Sequence, residues 1–169
     1  LIFFFRTSSS LTYSAGSPSG YSGSPGDDFK SCVACHGVSS TEDLLPYSVS
    51  ITSDIGEYYV PGNLYHITVD VLAPGIDKFG FQSCFENEEG EKLGEIILAD
   101  SIQTQLISSG NYITHTSNGI DGLGFKSWGF YWLAPLTIQG EISVYSSVLF
   151  SGNSIVGIND YVLSTSQSF

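Results

Sequence analysis

Apolar and polar residues alternate with a period of two along several stretches of this chain, and the alternation predicts β-strands. Tyr65, Ile67, Val69 and Val71 alternate with His66, Thr68 and Asp70, the pattern of a strand with one buried face. Phe79, Phe81 and Phe85 share one face of the next run, with Gly80, Gln82, Cys84 and Glu86 on the other. Further on, Trp128, Phe130 and Trp132 alternate with Ser127, Gly129 and Tyr131, and Ile142, Val144 and Val148 alternate with Glu141, Ser143 and Tyr145. Pro61-Gly62-Asn63, Ser117-Asn118-Gly119 and Ser151-Gly152-Asn153 punctuate these runs as turns. Short strands at this spacing predict an all-β, immunoglobulin-like β-sandwich. Helical periodicity is weak throughout, residues 86–108 are the least defined stretch, and no internal repeat is visible.

The N-terminal part reads differently. Residues 6–31 are dominated by Ser, Gly, Pro and Tyr without hydrophobic periodicity, which predicts an extended arm. The chain thus divides into residues 1–31, a strand-like start plus arm, and residues 32–169, the sandwich domain. Leu1 to Phe5 form an apolar strand pattern ahead of that arm, a layout in which a strand is lent to the open edge of a second copy. A homo-oligomer or filament is the expected partner arrangement.

A length of 169 residues suits one core. The formal net charge is −12 with five Lys and Arg, which repels phosphate backbones and argues against nucleic-acid binding. No run approaches the roughly 20 apolar residues that a membrane-spanning helix needs, so membrane insertion is not expected.

The chemistry-bearing motif is Cys32-Val33-Ala34-Cys35-His36, the attachment pattern of a c-type haem. Two thiols at this spacing can add across the two vinyl groups, and the adjoining His then ligates iron. A thioredoxin-like pair fits less well, because the motif lies between a Gly/Ser/Pro arm and β sequence rather than at a strand-to-helix junction. Zinc fits less well because there is no second Cys pair. A plain Cys32–Cys35 disulfide stays open.

The chain contains no Met, so His/Met iron is excluded and the sixth ligand is another His, a weaker donor, solvent or a residue of another copy. His66 sits on the polar face of its strand. His115 shares a face with Ile113 beside a turn and is the better candidate, which makes His36 and His115 the predicted metal ligands. Bis-His ligation points to electron transfer rather than catalysis, so an enzyme is not expected. Cys84 is the odd thiol, read as inert and partly buried. Asp121, Asn159 and Asp160 read as solvated turn residues.

Tyr21-Ser22-Gly23-Ser24-Pro25-Gly26, the Cys-x-x-Cys-His-Gly stretch, Tyr58 to Gly62, Phe79-Gly80-Phe81-Gln82, Tyr112-Ile113-Thr114-His115-Thr116 and Trp128 to Pro135 together resemble bacterial Reeler-like surface domains of the choice-of-anchor type. The resemblance covers about residues 20–165. It implies a secreted, cell-surface sandwich and pairs the Cys motif with the Thr-His-Thr motif, linking His36 to His115. Cys84 departs from the pattern, and no sorting or anchoring domain is recognised after Phe169. The resulting expectation is an extracellular cytochrome-like electron-transfer protein with one covalent haem c and a redox partner that the sequence does not identify. The contrasting reading is a non-haem structural or adhesive surface module.

Overall fold

The computed structural model describes residues 13–36, 46–151 and 160–169. Among the described residues nine strands form two antiparallel sheets: β1 Ser48–Ser53, β2 Leu64–Leu72, β3 Lys78–Asn87, β4 Glu95–Leu98, β5 Thr104–Ile107, β6 Tyr112–His115, β7 Phe125–Leu133, β8 Ile142–Ser151 and β9 Asp160–Ser168. The first sheet runs β1-β2-β7-β4 and the second β5-β6-β3-β8-β9. This is the all-β sandwich that the alternation predicts. Residues 86–108, undefined by periodicity, supply the short strands β4 and β5.

The facing sides of the sheets supply the core. Tyr65, Ile67, Val69 and Val71 of β2 and Trp128, Phe130 and Trp132 of β7 point inward and are buried, while His66 and Tyr131 are exposed on the outer side. Across the gap, Phe81 stacks on Trp128 at 4.3 Å and Phe85 on Trp132 at 4.6 Å between ring centroids. Such offset aromatic pairs add to the area they bury. Both indole N–H groups are satisfied, Trp128 donating to the Gly119 carbonyl and Trp132 to that of Leu93.

The second sheet departs from simple alternation. On β3 the polar set Gln82, Cys84 and Glu86, which the sequence places on an outward face, is as buried as the phenylalanines. The cause is the arm. Residues 13–36 form a U-shaped strap across this face, one leg along β3 and β6, the other returning over β8 and β9. Ser17 bonds Thr114, Tyr21 N–H donates to the Gln82 side chain, Ser22 Oγ lies 3.1 Å from Cys84 Sγ, and Ser24 bonds Glu86. A 3₁₀ turn at Pro25–Asp27 makes the bend, completed by Asp28 and Phe29 in the left-handed region. The returning leg fastens where Cys32 N–H donates to Ser147 Oγ of β8 at 3.2 Å.

Gly26 is required at the bend. A Cβ there would stand 2.4 Å from the Gly90 carbonyl oxygen and 2.7 Å from Glu86 Oε1, so only glycine lets the strap touch the β3–β4 loop backbone to backbone.

Candidate functional site

Between the two legs of the strap lies a cavity of about 400 Å³, floored by Gly80 of β3 and Leu149 of β8. Tyr13, Ser17, Pro18 and Tyr21 of the first leg line one side, and Cys32, Cys35 and His36 of the second leg line the other. Its volume falls within the usual range for small-molecule and cofactor pockets. The sequence-predicted site residues Cys32, Cys35, His36 and His115 all line this one cavity. His66 does not; it stands on the outer side of the first sheet against Tyr131.

The Cys motif forms the single helical turn Val33–His36. Cys32 is half-buried and its thiol points to the Ser147 carbonyl at 3.8 Å, while Cys35 is exposed. Burial pushes the Cys32 thiol up to about 11, against which the Ser147 hydrogen bond acts only in part. No thiol is bridged among the described residues: Cys32, Cys35 and Cys84 are all free.

His36 is held by a residue that sequence reading misassigned. Asp160, read as a solvated turn residue, begins β9, and its side chain is 1% exposed. Its Oδ2 lies 2.7 Å from His36 Nδ1, and Ser151 Oγ donates to its Oδ1 at 2.7 Å. A carboxylate on Nδ1 makes that nitrogen the donor, fixes the tautomer and leaves Nε2 as the lone-pair nitrogen. The two residues are 124 positions apart, so no local signal links them.

His115 is buried at the far wall, three strand spacings from β9, about 14 Å across the sheet. Gly80 makes room for its ring, since a Cβ there would meet Cε1 at 3.0 Å. Both ring nitrogens are engaged. Nδ1 accepts the Phe81 N–H at 3.1 Å, which assigns the proton to Nε2, and Nε2 then donates to the Tyr13 carbonyl at 3.1 Å. Burial lowers the His115 pKa and favours this neutral ring. His115 therefore offers a ligating lone pair only where the Tyr13 carbonyl releases Nε2 and its proton moves to Nδ1, which also lies 3.3 Å from the Phe81 carbonyl.

The donor set fits a c-type haem on the His36 side: two thiols and an imidazole whose Nδ1 is anchored converge on a largely apolar cavity. On the His115 side the fit is conditional on that release.

Other expectations fall elsewhere. Cys84 is fully buried beneath the strap, and burial pushes its thiol up to about 12. Asp121 is exposed and paired with Lys78. Leu1 to Phe5, Asn159 and the Gly152-Asn153 turn lie outside the described residues. Among the described residues no helix is long and apolar enough to cross a membrane.

No protein-family model matches the chain, and no curated protein matches it. Solved structures do. The Reelin-N domain of F-spondin is 20% identical with a TM-score of 0.50, covering 71% of this chain and 83% of that one. Two fragments of the human F-spondin reeler domain follow: one at 20% identity and TM-score 0.49 over 70% of this chain and 85% of that one, the other at 19% and 0.48 over 72% and 84%. The likeness to the Reelin-N domain shows a shared β-sandwich fold.

Proposed function

We propose that the chain is an extracellular β-sandwich module of reeler type that carries one covalent haem c between the legs of its strap and serves in electron transfer. The observation that supports this is the convergence of Cys32, Cys35 and His36 on one cavity, with His36 Nδ1 pinned by the buried carboxylate of Asp160. Cys32 and Cys35 would hold the group through two thioether bonds, and His36 would ligate iron through Nε2. Bound there, haem supplies one-electron redox chemistry at iron. Asp160 orients His36 and raises its donor strength. Phe79 and Leu149 give the cavity apolar walls that limit water. His115, with its Nε2 proton on the Tyr13 carbonyl, stays in reserve behind the strap. The secreted location rests on the resemblance to reeler-like surface domains.

A second reading is a structural or adhesive surface module without haem, its Cys32 and Cys35 closed in a disulfide. The likeness of fold favours it, because a reeler-type sandwich by itself implies no cofactor.

Expression in a host that matures c-type cytochromes, followed by a pyridine haemochrome spectrum on denatured protein, separates the two. A haem band that survives denaturation and is lost in Cys32→Ala/Cys35→Ala is expected. Colourless protein with a Cys32–Cys35 disulfide in its peptide map overturns the proposal and leaves the second reading.

A further inference from the structure

At the bend of the strap, away from the cavity, Asp27, Glu86 and Lys92 meet in a second buried cluster. Lys92 Nζ lies 3.1 Å from Asp27 Oδ1 and also contacts Glu86 Oε1. Their side chains are 15%, 2% and 0% exposed for Lys92, Asp27 and Glu86. The ammonium lies 4.7 Å from the centre of the Tyr112 ring. Both carboxyl oxygens of Asp27 carry donors, Ser22 N–H and Oγ on Oδ2 and the Tyr112 hydroxyl on Oδ1. Glu86 is held in turn by Ser24 Oγ and Gly26 N–H. Asp27, Cys84 and Glu86 also bring three metal-ligand atoms within 4.8 Å of one another, but the Lys92 ammonium already supplies the cation there.

We propose that Lys92 and Asp27 condense into an intramolecular amide, with Glu86 as the proton carrier, so that the strap is covalently tied to the loop after β3. The cluster has the parts of an acyl transfer: an amine against a carboxyl carbon, donors on the carboxyl oxygens where negative charge develops, and a second carboxylate on the amine. Burial opposes both charges, yet the Glu86 and Asp27 carboxylates hold Lys92 protonated and the Ser22 and Tyr112 donors hold Asp27 ionised, so the ammonium proton first shifts to Asp27 against that pairing, giving a neutral amine and a neutral acid as the minor, reactive form. Lys92 Nζ then forms a bond to Asp27 Cγ. Glu86 takes a proton from that nitrogen and returns it to the departing hydroxyl as the C–O bond breaks. The products are one amide, one water and the Glu86 carboxylate. Net charge is −1 before and after, and no oxidant or co-reactant is required.

Two physical terms drive the reaction forward. Fixed proximity replaces a bimolecular encounter. A buried ion pair also carries a desolvation penalty that a neutral amide escapes, and the released water joins the solvent.

The test is the intact mass of the full chain in denaturant. A mass one water below the sequence mass is expected, and a tryptic digest should contain residues 7–30 joined to residues 79–126, because acylated Lys92 is no longer cleaved. Glu86→Gln, checked for its fold by near-ultraviolet circular dichroism, should keep the full sequence mass. Haem attachment adds mass while condensation removes one water, so one spectrum reads the two independently. Wild-type protein at the full sequence mass, with cleavage after Lys92 and no branched peptide, overturns the proposal. A water also lost from Glu86→Gln overturns the role of Glu86.

Discussion

Replacing Gln82 with alanine tests the docking of the strap. The side chain is fully buried and makes three hydrogen bonds to the strap: Oε1 accepts the Tyr21 N–H at 2.6 Å, and Nε2 donates to Ser17 Oγ and the Pro18 carbonyl at 2.6 Å each. Alanine strands the Tyr21 N–H and the Pro18 carbonyl beneath the strap. A buried polar group without its partner costs about 1–3 kcal/mol. Ser17 still has Thr114, and water entering beside the strap relieves part of the penalty, so the low end applies to each of the two groups. Adding the space left by the side chain, the expected loss is about 3 kcal/mol. At roughly 2–4 °C per kcal/mol for a domain of this size, Tm should fall by about 6–12 °C. The control is Ser50→Ala at an exposed position on the outer face of β1, where a change within about 0.5 kcal/mol is expected. Denaturant titration gives both values, and hydrogen exchange at Tyr21 and Gly23 shows whether the strap opens first. A Gln82→Ala variant as stable as the control, or strap amides exchanging freely in the parent, would refute the reasoning.

Two other consequences follow from the site. In haem-loaded protein, Asp160→Asn keeps the volume but removes the negative charge from His36 Nδ1, so the reduction potential should rise while the thioether links stay intact; potentiometry giving the parent value would remove Asp160 from a positioning role. In protein made without haem, exposed Cys35 should be alkylated at pH 8 while Cys84, held by burial at about 12, reacts only in denaturant. The unfolded thiol ionises near 8.5 and the folded one near 12, so the folded state binds the extra proton between them. Stability from this group is complete below about pH 8.5 and is lost as pH rises towards 12, and Cys84→Ala should flatten that part of the denaturation profile.

The strands β2 and β7 are legible because their outer faces are wet, so a period of two reports burial directly. The same rule misplaces Gln82, Cys84 and Glu86, since it assumes that the face opposite the phenylalanines meets water. A Ser/Gly/Pro segment has no periodicity to announce that it covers a sheet. Its grip is made of backbone N–H groups, hydroxyls and side-chain amides, which carry no hydropathy signal. The attachment motif and the choice of His115 over His66 are local patterns and place residues around one cavity. The Asp160 contact is not local. It exists because β9 pairs with β8 and brings its first residue beneath the motif helix, an outcome of sheet order that spacing along the chain does not encode.

The polar character of the strap's grip bears on how well the site is set. An apolar segment on an apolar face gains nearly the same free energy after a small slide, because area is non-directional. A segment held through Ser17, Tyr21, Ser22, Ser24 and Gly26 against Thr114, Gln82, Cys84 and Glu86 is different, for a shift of one residue leaves several buried donors and acceptors unpaired at once. The register of the strap is therefore steeply defined. Because Cys32 to His36 follow directly on its returning leg, that register fixes where the thiols and the imidazole stand relative to Ser147 and Asp160. A site whose supporting shell is this specific is organised before any ligand arrives. On the His115 side the same strap sets the opposite wall, where the Tyr13 carbonyl takes both the Gly16 N–H and the His115 ring nitrogen and so ties the imidazole to the register of the first leg.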